Sequence, residues 1–287
     1  LGQAPAARQA LMFSATFPEE IRTLGRRFQR DPEEHTVADG EGSVIEQRFY
    51  EVEAPRKTDA LALLLADLKP DSALVFCNTR RDVQQVADDL AQRGHSVLAL
   101  HGDLEQRDRD EVLVCFANRS CQVLVATDVA ARGLDIKDLP LVVSHGLASD
   151  LDTHTHRIGR TGRAGESGLA LSLVASEDRR RIIGIEEQLG KAVRWERIDL
   201  SRKPGKPAPA AMTTLVVDAG RQDKLRPGDL VGALTGDAGI PATAIGKIDG
   251  FATRTYVAIE RSQASKALER LKAGKIKGRS FRVRKLG

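Results

Sequence analysis

The chain has 287 residues, of which 41% are hydrophobic and 29% are charged, and these ordinary proportions exclude a disordered chain and a fibrous repeat. Its length is typical of about two domains, and the lack of any run of about 18 apolar residues excludes a membrane-spanning helix. The net charge of +4 is uneven, with acids in excess up to residue 200 and bases in excess after residue 211. That pattern indicates either a polyanion-binding module on an acidic body or a lysine-rich solvated surface.

The three cysteines, Cys77, Cys115 and Cys121, lie in apolar stretches and form no CxxC pair. An odd number without that spacing is typical of buried, reduced thiols rather than of disulfides or structural zinc. The first residues show no charged and apolar leader of the kind that a signal peptide carries. The sequence therefore predicts a cytoplasmic protein without a metal site.

Between residues 44 and 200, short apolar runs alternate with amphipathic stretches such as 83–90 and 112–116. This alternation predicts an α/β domain, in which helices cover both faces of a parallel sheet. Ligands of such folds bind at the carboxyl ends of the strands, so the loops after residues 76, 100 and 126 are the places to examine. The predicted buried strands are 73–76, 97–100, 123–126, 141–143 and 169–173.

Residues 201–211 contain three prolines and no apolar periodicity, which predicts a stiff, extended linker. After the linker the pattern predicts a small α+β domain in the order β-α-β-β-α-β. This order is that of the ferredoxin-like split unit and of the RNA-recognition motif (RRM). The predicted elements are strand 213–217, helix 227–234, strands 244–248 and 255–259, a helix over 264–271 that Gly274 ends, and strand 280–285.

The segment 156–165 is the densest chemical signal, because Arg157, Arg160 and Arg163 recur every three residues with glycines between them. On a helical turn this spacing would put the three arginines on one side. Guanidinium groups bind phosphate oxygens bidentately, so the segment predicts a triphosphate site. A surface cluster of arginines in local salt bridges is the alternative that the segment leaves open.

A second signal follows the predicted strand 123–126, which delivers Thr127 and Asp128 to its carboxyl end. Thr127 has a hydroxyl that can donate to a phosphate of a nucleic-acid backbone, and Asp135 can accept from a ribose hydroxyl. An Asp directly after a strand is more often a helix cap, so a structural role is the alternative here.

Five segments occur in one order along the chain: Ser14-Ala15-Thr16, then 75–79, 101–109, 125–136 and 156–163. Together they resemble the second half of the DEAD-box ATP-dependent RNA helicases, which are superfamily 2 enzymes with two RecA-like domains. Residues 225–236 and 274–284 resemble the RNA-binding domain of the DbpA group of bacterial helicases. Members of that group bind a hairpin of 23S-type ribosomal RNA and act in assembly of the large ribosomal subunit.

The resemblance implies an RNA-stimulated ATP hydrolase that uses ATP with Mg²⁺. Arg160 and Arg163 would face the γ-phosphate, with Arg163 as the arginine finger and His156 beside them in the catalytic motif. Gly133 and Asp135 would contact the ribose side of the nucleotide. Coupling between the two RecA-like domains would involve Ser14, Ala15, Thr16 and Arg132.

The resemblance also implies RNA contacts in both domains. The core would hold the sugar-phosphate backbone and therefore read little sequence. In the tail, few aromatic residues are available for base stacking, so contacts by lysine and arginine are expected to dominate. The implied residues are Asn78, Thr79, Gly102, Arg109 and Thr127 in the core, and Arg254, Tyr256, Lys272, Lys275, Lys277, Arg279, Arg282 and Arg284 in the tail.

The sequence contains neither a GxxxxGK[ST] loop nor an Asp-Glu-Ala-Asp run. We therefore expect the C-terminal part of a helicase, inactive in ATP hydrolysis by itself, with Mg²⁺ held mainly by the missing first domain. Expected parts are the end of that first domain at 1–43 (with a strand at 8–15), a second RecA-like domain at 44–200, the linker at 201–211 and an RRM-like domain at 212–287. Expected partners are RNA and the pre-ribosomal large subunit, with no membrane. Alternatives are a non-catalytic RNA-binding protein on a RecA-like scaffold and a general DEAD-box helicase with a non-specific tail.

Overall fold

The computed structural model describes residues 4–5, 7–13, 19–35, 45–132, 136, 138–162, 167–236 and 239–286. The chain divides into two compact units, Leu1–Gly42 and Ser43–Gly287. In the first unit, helix α1 (Glu19–Phe28) begins with an acid and ends with basic residues, an order that suits the helix dipole. The strand predicted at 8–15 is wrong for residues 8–13, which form no strand. A strand needs a neighbour to pair with, and the described part of this unit offers none; residues 14 and 15 lie outside the described residues.

The second unit contains a sheet of seven strands in the order β3-β4-β2-β5-β6-β1-β7. Every neighbouring pair in this sheet is parallel, which confirms the predicted RecA-like sheet. The sequence prediction missed the strands β1 and β7, because β1 has only three apolar or aromatic residues among charged and polar ones and β7 is two residues long. The strands are β1 (Ile45–Glu51), β2 (Ala73–Phe76), β3 (Val97–Leu100), β4 (Val123–Ala126), β5 (Leu141–Ser144), β6 (Gly168–Val174) and β7 (Trp195–Glu196).

Helices cover both faces of this sheet, and alternate residues of β2 show the two layers. Val75 packs in one apolar cluster with Leu61 and Val83, whereas Leu74 packs in another with Phe116. Both strand residues are fully buried, as the central strand of a parallel sheet requires. The helices are α2 (Lys57–Leu68), α3 (Arg80–Gln92), α4 (Gln106–Ala117), α5 (Asp128–Ala131), α6 (Leu151–Ile158) and α7 (Arg179–Leu189).

The tail folds into an antiparallel sheet in the order β11-β8-β10-β9, and its element order is the predicted β-α-β-β-α-β. Two helices cover one face of this sheet, where Leu215 and Val257 pack with Leu230 and Leu271. Val216 and Tyr256 belong to a separate apolar cluster. The elements are β8 (Met212–Val217), α8 (Pro227–Thr235), β9 (Ile245–Gly250), β10 (Thr255–Glu260), α9 (Ala264–Ala273) and β11 (Val283–Lys285).

Residues 201–211 connect the two sheets without forming a helix or a strand, as their prolines predict. Arg202 Nη1 lies 3.1 Å from Asp67 Oδ2, so the start of this segment is tied to the end of α2. In the part of the chain that the structure describes, no helix is long and apolar enough to cross a membrane.

Candidate functional site

The loops at the carboxyl ends of β2, β3 and β4 lie side by side, because these strands are adjacent and parallel. Asn78 and Thr79 follow β2, Gly102 follows β3 and Thr127 follows β4. Asn78, Thr79 and Gly102 are exposed, and no atom lies within 4 Å of the position that a Cβ on Gly102 would take. Residues that belong to separate motifs in the sequence thus share one edge of the sheet.

Two threonines at this edge begin helices. The Thr79 hydroxyl accepts from the Asp82 N–H at 3.1 Å, and the Thr127 hydroxyl accepts from the Ala130 N–H at 3.3 Å. Each side chain therefore caps the first turn of the helix that follows its strand. A hydroxyl that accepts in this way keeps its own proton to donate, so the cap is compatible with a contact to a phosphate oxygen.

Arg157 is the buried centre of the site, with 1% of its surface exposed. Its Nε and Nη2 donate to the two carboxylate oxygens of Asp128, each at 2.7 Å. Nη2 also donates to Asn78 Oδ1 at 2.9 Å, and Nη1 donates to the Gly146 carbonyl at 2.5 Å. A buried arginine held by this many acceptors fixes the loops after β2, β4 and β5 against one another.

Sequence reasoning placed Arg157 with Arg160 and Arg163 in a triphosphate site and missed its buried ion pair with Asp128, because the partners of Arg157 are far away along the chain. The prediction that Arg157, Arg160 and Arg163 share one side of a helix is wrong for the first two. Helix α6 is capped by Asp150 and ends at Ile158. Arg157 lies in this helix and is buried in the domain, whereas Arg160 lies beyond the end of the helix. Arg163 lies outside the described residues.

Asn78 lies so close to Gly146 that a side chain at position 146 would not fit. Its Nδ2 donates to the Leu147 carbonyl at 3.0 Å, which brings the amide against the loop after β5. A Cβ on Gly146 would lie 2.9 Å from Asn78 Cγ. Glycine at this position therefore permits the approach of the two loops.

A small cleft with a cavity volume of about 20 Å³ opens beside Arg157 and is lined by Arg132, His156 and Arg160, among others. Arg132 and His156 are exposed, and Arg160 Nη1 lies 3.5 Å from the Ile136 carbonyl. Cationic side chains around one cleft suit the oxygens of a phosphate group. The other residues implied for the nucleotide site or for interdomain coupling lie outside the described residues: Gly133, Asp135, Arg163, Ser14, Ala15 and Thr16.

Arg109 links two helices of the same domain. It lies on α4, and its Nη2 donates to the carbonyl of Ala130 on α5 at 2.6 Å. This bond satisfies one of the carbonyls that the short helix α5 leaves without a partner. The structure thus gives Arg109 a structural contact at the edge where RNA binding is predicted.

Three residues predicted to bind RNA in the tail converge instead on Glu111 of α4. Glu111 Oε1 lies 3.0 Å from Arg284 Nη2, 3.3 Å from the Tyr256 hydroxyl and 3.6 Å from Arg254 Nη1. Tyr256 is 3% exposed, and burial raises the pKa of its hydroxyl, with the Glu111 charge as the next cause. The expectation that Arg254, Tyr256 and Arg284 present an open RNA-binding face is therefore corrected, because α4 occupies that face.

The other lysines and arginines of the tail that were predicted to bind RNA are exposed. Lys275 and Lys277 line an open groove of about 460 Å³ with Gly228 and Gly232 of α8. No atom lies within 4 Å of the Cβ position of either glycine, so the floor of the groove is bare backbone. Lys277 Nζ lies 3.6 Å from Asp229 Oδ2 at one side of the groove. The exposed bases of this region are Lys272, Lys275, Lys277, Arg279 and Arg282.

Comparison with known proteins matches two separate parts of the chain to family models. Residues 56–165 match the family model of the helicase conserved C-terminal domain. Residues 214–285 match the model of the DbpA RNA binding domain. The parallel sheet and its loops thus define a helicase C-terminal domain, followed by an RNA-binding domain.

The chain is 50% identical over 284 residues to the ATP-dependent RNA helicase DbpA of Escherichia coli (strain K12), which covers 99% of this chain and 62% of that protein. The structure of the E. coli DEAD-box protein SrmB bound to regulator of ribonuclease activity A matches 57% of this chain and 97% of the other, with 32% identity and a TM-score of 0.52. The structure of a leucine-to-valine variant of S. cerevisiae Dbp5 bound to RNA and ADP BeF3 matches 68% of this chain and 52% of the other, with 28% identity and a TM-score of 0.59.

The chain belongs to the DEAD-box ATP-dependent RNA helicase family, and within it to the DbpA-like members. It spans less than two thirds of the length of its E. coli DbpA relative. The residues assigned to individual roles by resemblance remain predictions.

Proposed function

We propose that this chain supplies the second RecA-like domain and the RNA-binding domain of an ATP-dependent RNA helicase that remodels structured RNA. The observation that carries the proposal is the single edge at which the loops after β2, β3 and β4 meet the arginine-lined cleft. One edge can then contact both a nucleotide and an RNA backbone. The proposed division is 1–43 for the end of the first RecA-like domain, 44–200 for the second, 201–211 for the linker and 212–287 for the RRM-like domain.

The cleft residues support nucleotide binding. Arg160 and His156 would contact phosphate oxygens, and Arg132 would lie between the nucleotide and the neighbouring domain. Arg163 as arginine finger, and Gly133 and Asp135 at the ribose, follow from the family resemblance. ATP with Mg²⁺ would supply the phosphoryl-transfer chemistry. Residues of a first RecA-like domain would hold the ion, because the Asp128 carboxylate is already paired with Arg157.

The loop residues support binding of an RNA backbone. Asn78, Thr79 and Gly102 present exposed amide, hydroxyl and bare-backbone groups, which would contact phosphate and sugar rather than base edges. Thr127 is buried beside them, and its hydroxyl would be the deepest of these contacts. Arg157 would hold the loops after β2 and β4 in place without touching the RNA. A core of this kind binds RNA with little preference for sequence.

The groove beside α8 supports RNA binding by the tail. Its lysines would neutralise phosphates, and its glycines would let the sugar-phosphate backbone approach closely. We propose a hairpin of 23S-type ribosomal RNA as the target, with the pre-ribosomal large subunit in the cytoplasm as the place of action. The identity to a DbpA helicase supports this assignment.

RNA binding by this chain tests the proposal directly. A fluorescent RNA hairpin with a single-stranded extension is titrated with the wild-type chain and with Lys275→Ala/Lys277→Ala. The matched control is Lys203→Ala/Lys206→Ala, which removes the same charge from exposed positions in the linker. We expect the groove variant to bind more weakly and the control to bind as the wild type does. Equal affinities for all three proteins would contradict an RNA site at the groove.

A further inference from the structure

The contact between the tail and the helicase domain contains a buried polar centre. Thr214 of β8 is fully buried, and its hydroxyl accepts from Asn118 Nδ2 at 2.8 Å and donates to Ser120 Oγ at 2.8 Å. The Met212 N–H donates to the Arg119 carbonyl at 3.3 Å. Polar groups buried with their partners define one geometry, because a shift would leave them unsatisfied. The interface is therefore specific rather than a loose apolar contact.

Glu111 is the charged centre of the same contact, and its side chain is 14% exposed. A carboxylate removed from water in this way is stable only with charged or hydrogen-bonding partners. The tail supplies three of them, from β10 with the residue before it and from β11, the strands on either side of β8: Arg254, Tyr256 and Arg284. Arg107, one turn earlier on α4, lies 3.5 Å from the same oxygen.

Apolar side chains fill the space beside this charge. Val114 of α4 packs with Val216 and Tyr256 of the tail sheet, and Phe251 and Leu286 border them. The Phe251 and Tyr256 rings meet edge to face at 5.3 Å. One helix of the helicase domain thus covers a sheet face that carries both apolar and basic side chains.

In RNA-recognition motifs this sheet face is the surface on which bases stack. Here it is taken by α4, whereas the groove of Lys275 and Lys277 is formed by α8 and the loop after α9. Helix α8 belongs to the layer on the other face of the sheet. Docking on α4 therefore leaves the groove open.

We propose that Glu111 is a positioning residue that anchors the tail on α4 in one orientation, and that the tail binds RNA while it stays docked. The second half of this proposal rests on the proposed function, whereas the first half does not. A fixed tail would present its RNA at a constant distance from the loops after β2, β3 and β4.

Distance measurements between two spin labels in the full chain test the anchor. The three native cysteines are buried, and burial raises the pKa of Cys77 and Cys121 to about 12, so introduced exposed cysteines react selectively. Suitable positions are the exposed Gln85 on α3 and Ser262 in the tail. We expect one narrow distance distribution in the otherwise unchanged chain, because the two domains form one body.

Glu111→Lys should broaden this distribution, because Arg254 and Arg284 would then face a positive charge. The control Glu187→Lys makes the same charge change at an exposed position of α7 and should leave the distribution narrow. Arg284→Glu should broaden it as well, and Glu111→Lys/Arg284→Glu should narrow it again. Circular dichroism melts verify that each variant folds. A narrow distribution in folded Glu111→Lys would overturn the anchor.

Adding a labelled RNA hairpin tests the second half. We expect the distribution to stay narrow at saturating RNA, with affinity followed in parallel by fluorescence anisotropy. Broadening on RNA binding would show that RNA displaces α4 from the sheet face and would overturn docked binding. If the chain binds no RNA, the proposed function and docked binding are both contradicted. The role of Glu111 as an anchor is then decided by the distance measurement without RNA.

Discussion

Arg157 and Asp128 form a doubly hydrogen-bonded ion pair in which both nitrogen–oxygen distances are 2.7 Å. The arginine side chain is 1% exposed and the Asp128 side chain 23% exposed, so water screens this pair less than it screens a pair on the surface. Because Arg157 also holds Asn78 and the Gly146 carbonyl, the pair sets the relative position of three loops. The geometry of the candidate site depends on a residue that need not touch a ligand.

Replacing Arg157 should destabilise the fold. Arg157→Gln leaves the Asp128 carboxylate without its partner, and we expect the free energy of unfolding to fall by about 3 kcal/mol. The value is at the low end for a broken buried pair because the Asp128 side chain is 23% exposed. The control Arg80→Gln breaks the exposed pair with Asp103 and should cost less than about 1 kcal/mol. Urea denaturation measures both, and equal losses would contradict the role given to Arg157.

The stability of the chain should fall as the pH drops below neutrality. Burial lowers the pKa of both His145 and His154 to about 4, and His154 Nδ1 is buried without a hydrogen-bond partner among the described residues. In the unfolded chain each imidazole titrates near its ordinary value of about 6.5. The unfolded state therefore binds more protons between these two pKa values, and stability present above pH 6.5 is lost progressively toward pH 4.

We expect each buried histidine to contribute about 1–3 kcal/mol to this loss. Urea denaturation at several pH values measures the slope, and NMR titration of the ring protons gives each pKa. His145→Gln/His154→Gln should show a smaller loss over the same pH range. Ring protons that titrate near pH 6.5 in the folded chain would contradict the prediction.

The salt dependence of RNA binding should change with the number of lysines in the groove. Each phosphate contact removed should reduce the magnitude of the slope of log affinity against log salt by about 0.7–0.9. Lys275→Ala/Lys277→Ala should thus flatten the slope for structured and unstructured RNA alike, whereas Lys203→Ala/Lys206→Ala should leave it unchanged. Titrations at four or more salt concentrations measure this slope for each variant. A slope that is the same in both variants would indicate that RNA binds elsewhere.

By itself this chain should hydrolyse no ATP, because its sequence contains no GxxxxGK[ST] loop to hold the phosphates. In a longer protein that joins it to a first RecA-like domain, Arg163→Ala should lower turnover by about 10³–10⁵ while RNA affinity changes little. Phosphate release with and without RNA measures both. Near-normal turnover of Arg163→Ala would remove the finger role, and no turnover in the longer wild-type protein would favour a non-catalytic RNA-binding protein.

Local patterns in the sequence specified most of the secondary structure. Fully apolar runs such as 73–76 and 123–126 identified central strands, because strands buried on both faces have no polar positions. Prolines indicated where the linker lies, and proline and glycine indicated where helices of the tail begin and end. The ordered motifs identified the family, and the strand order then brought their loops to one edge as the parallel sheet predicts.

The sequence by itself determined most of the strands and helices, which family the chain resembles and where its basic residues accumulate. The tertiary structure alone decided which charges pair. Arg157 meets Asp128 from 29 residues away, and Arg284 meets Glu111 from 173 residues away. It also placed Tyr256, an expected RNA-binding residue, in the interface with α4. The strands β1 and β7 became recognisable only from the strands that they pair with. Periodicity and propensity are local properties, whereas the partner of a buried charge is set by which faces pack together, and that depends on the whole fold.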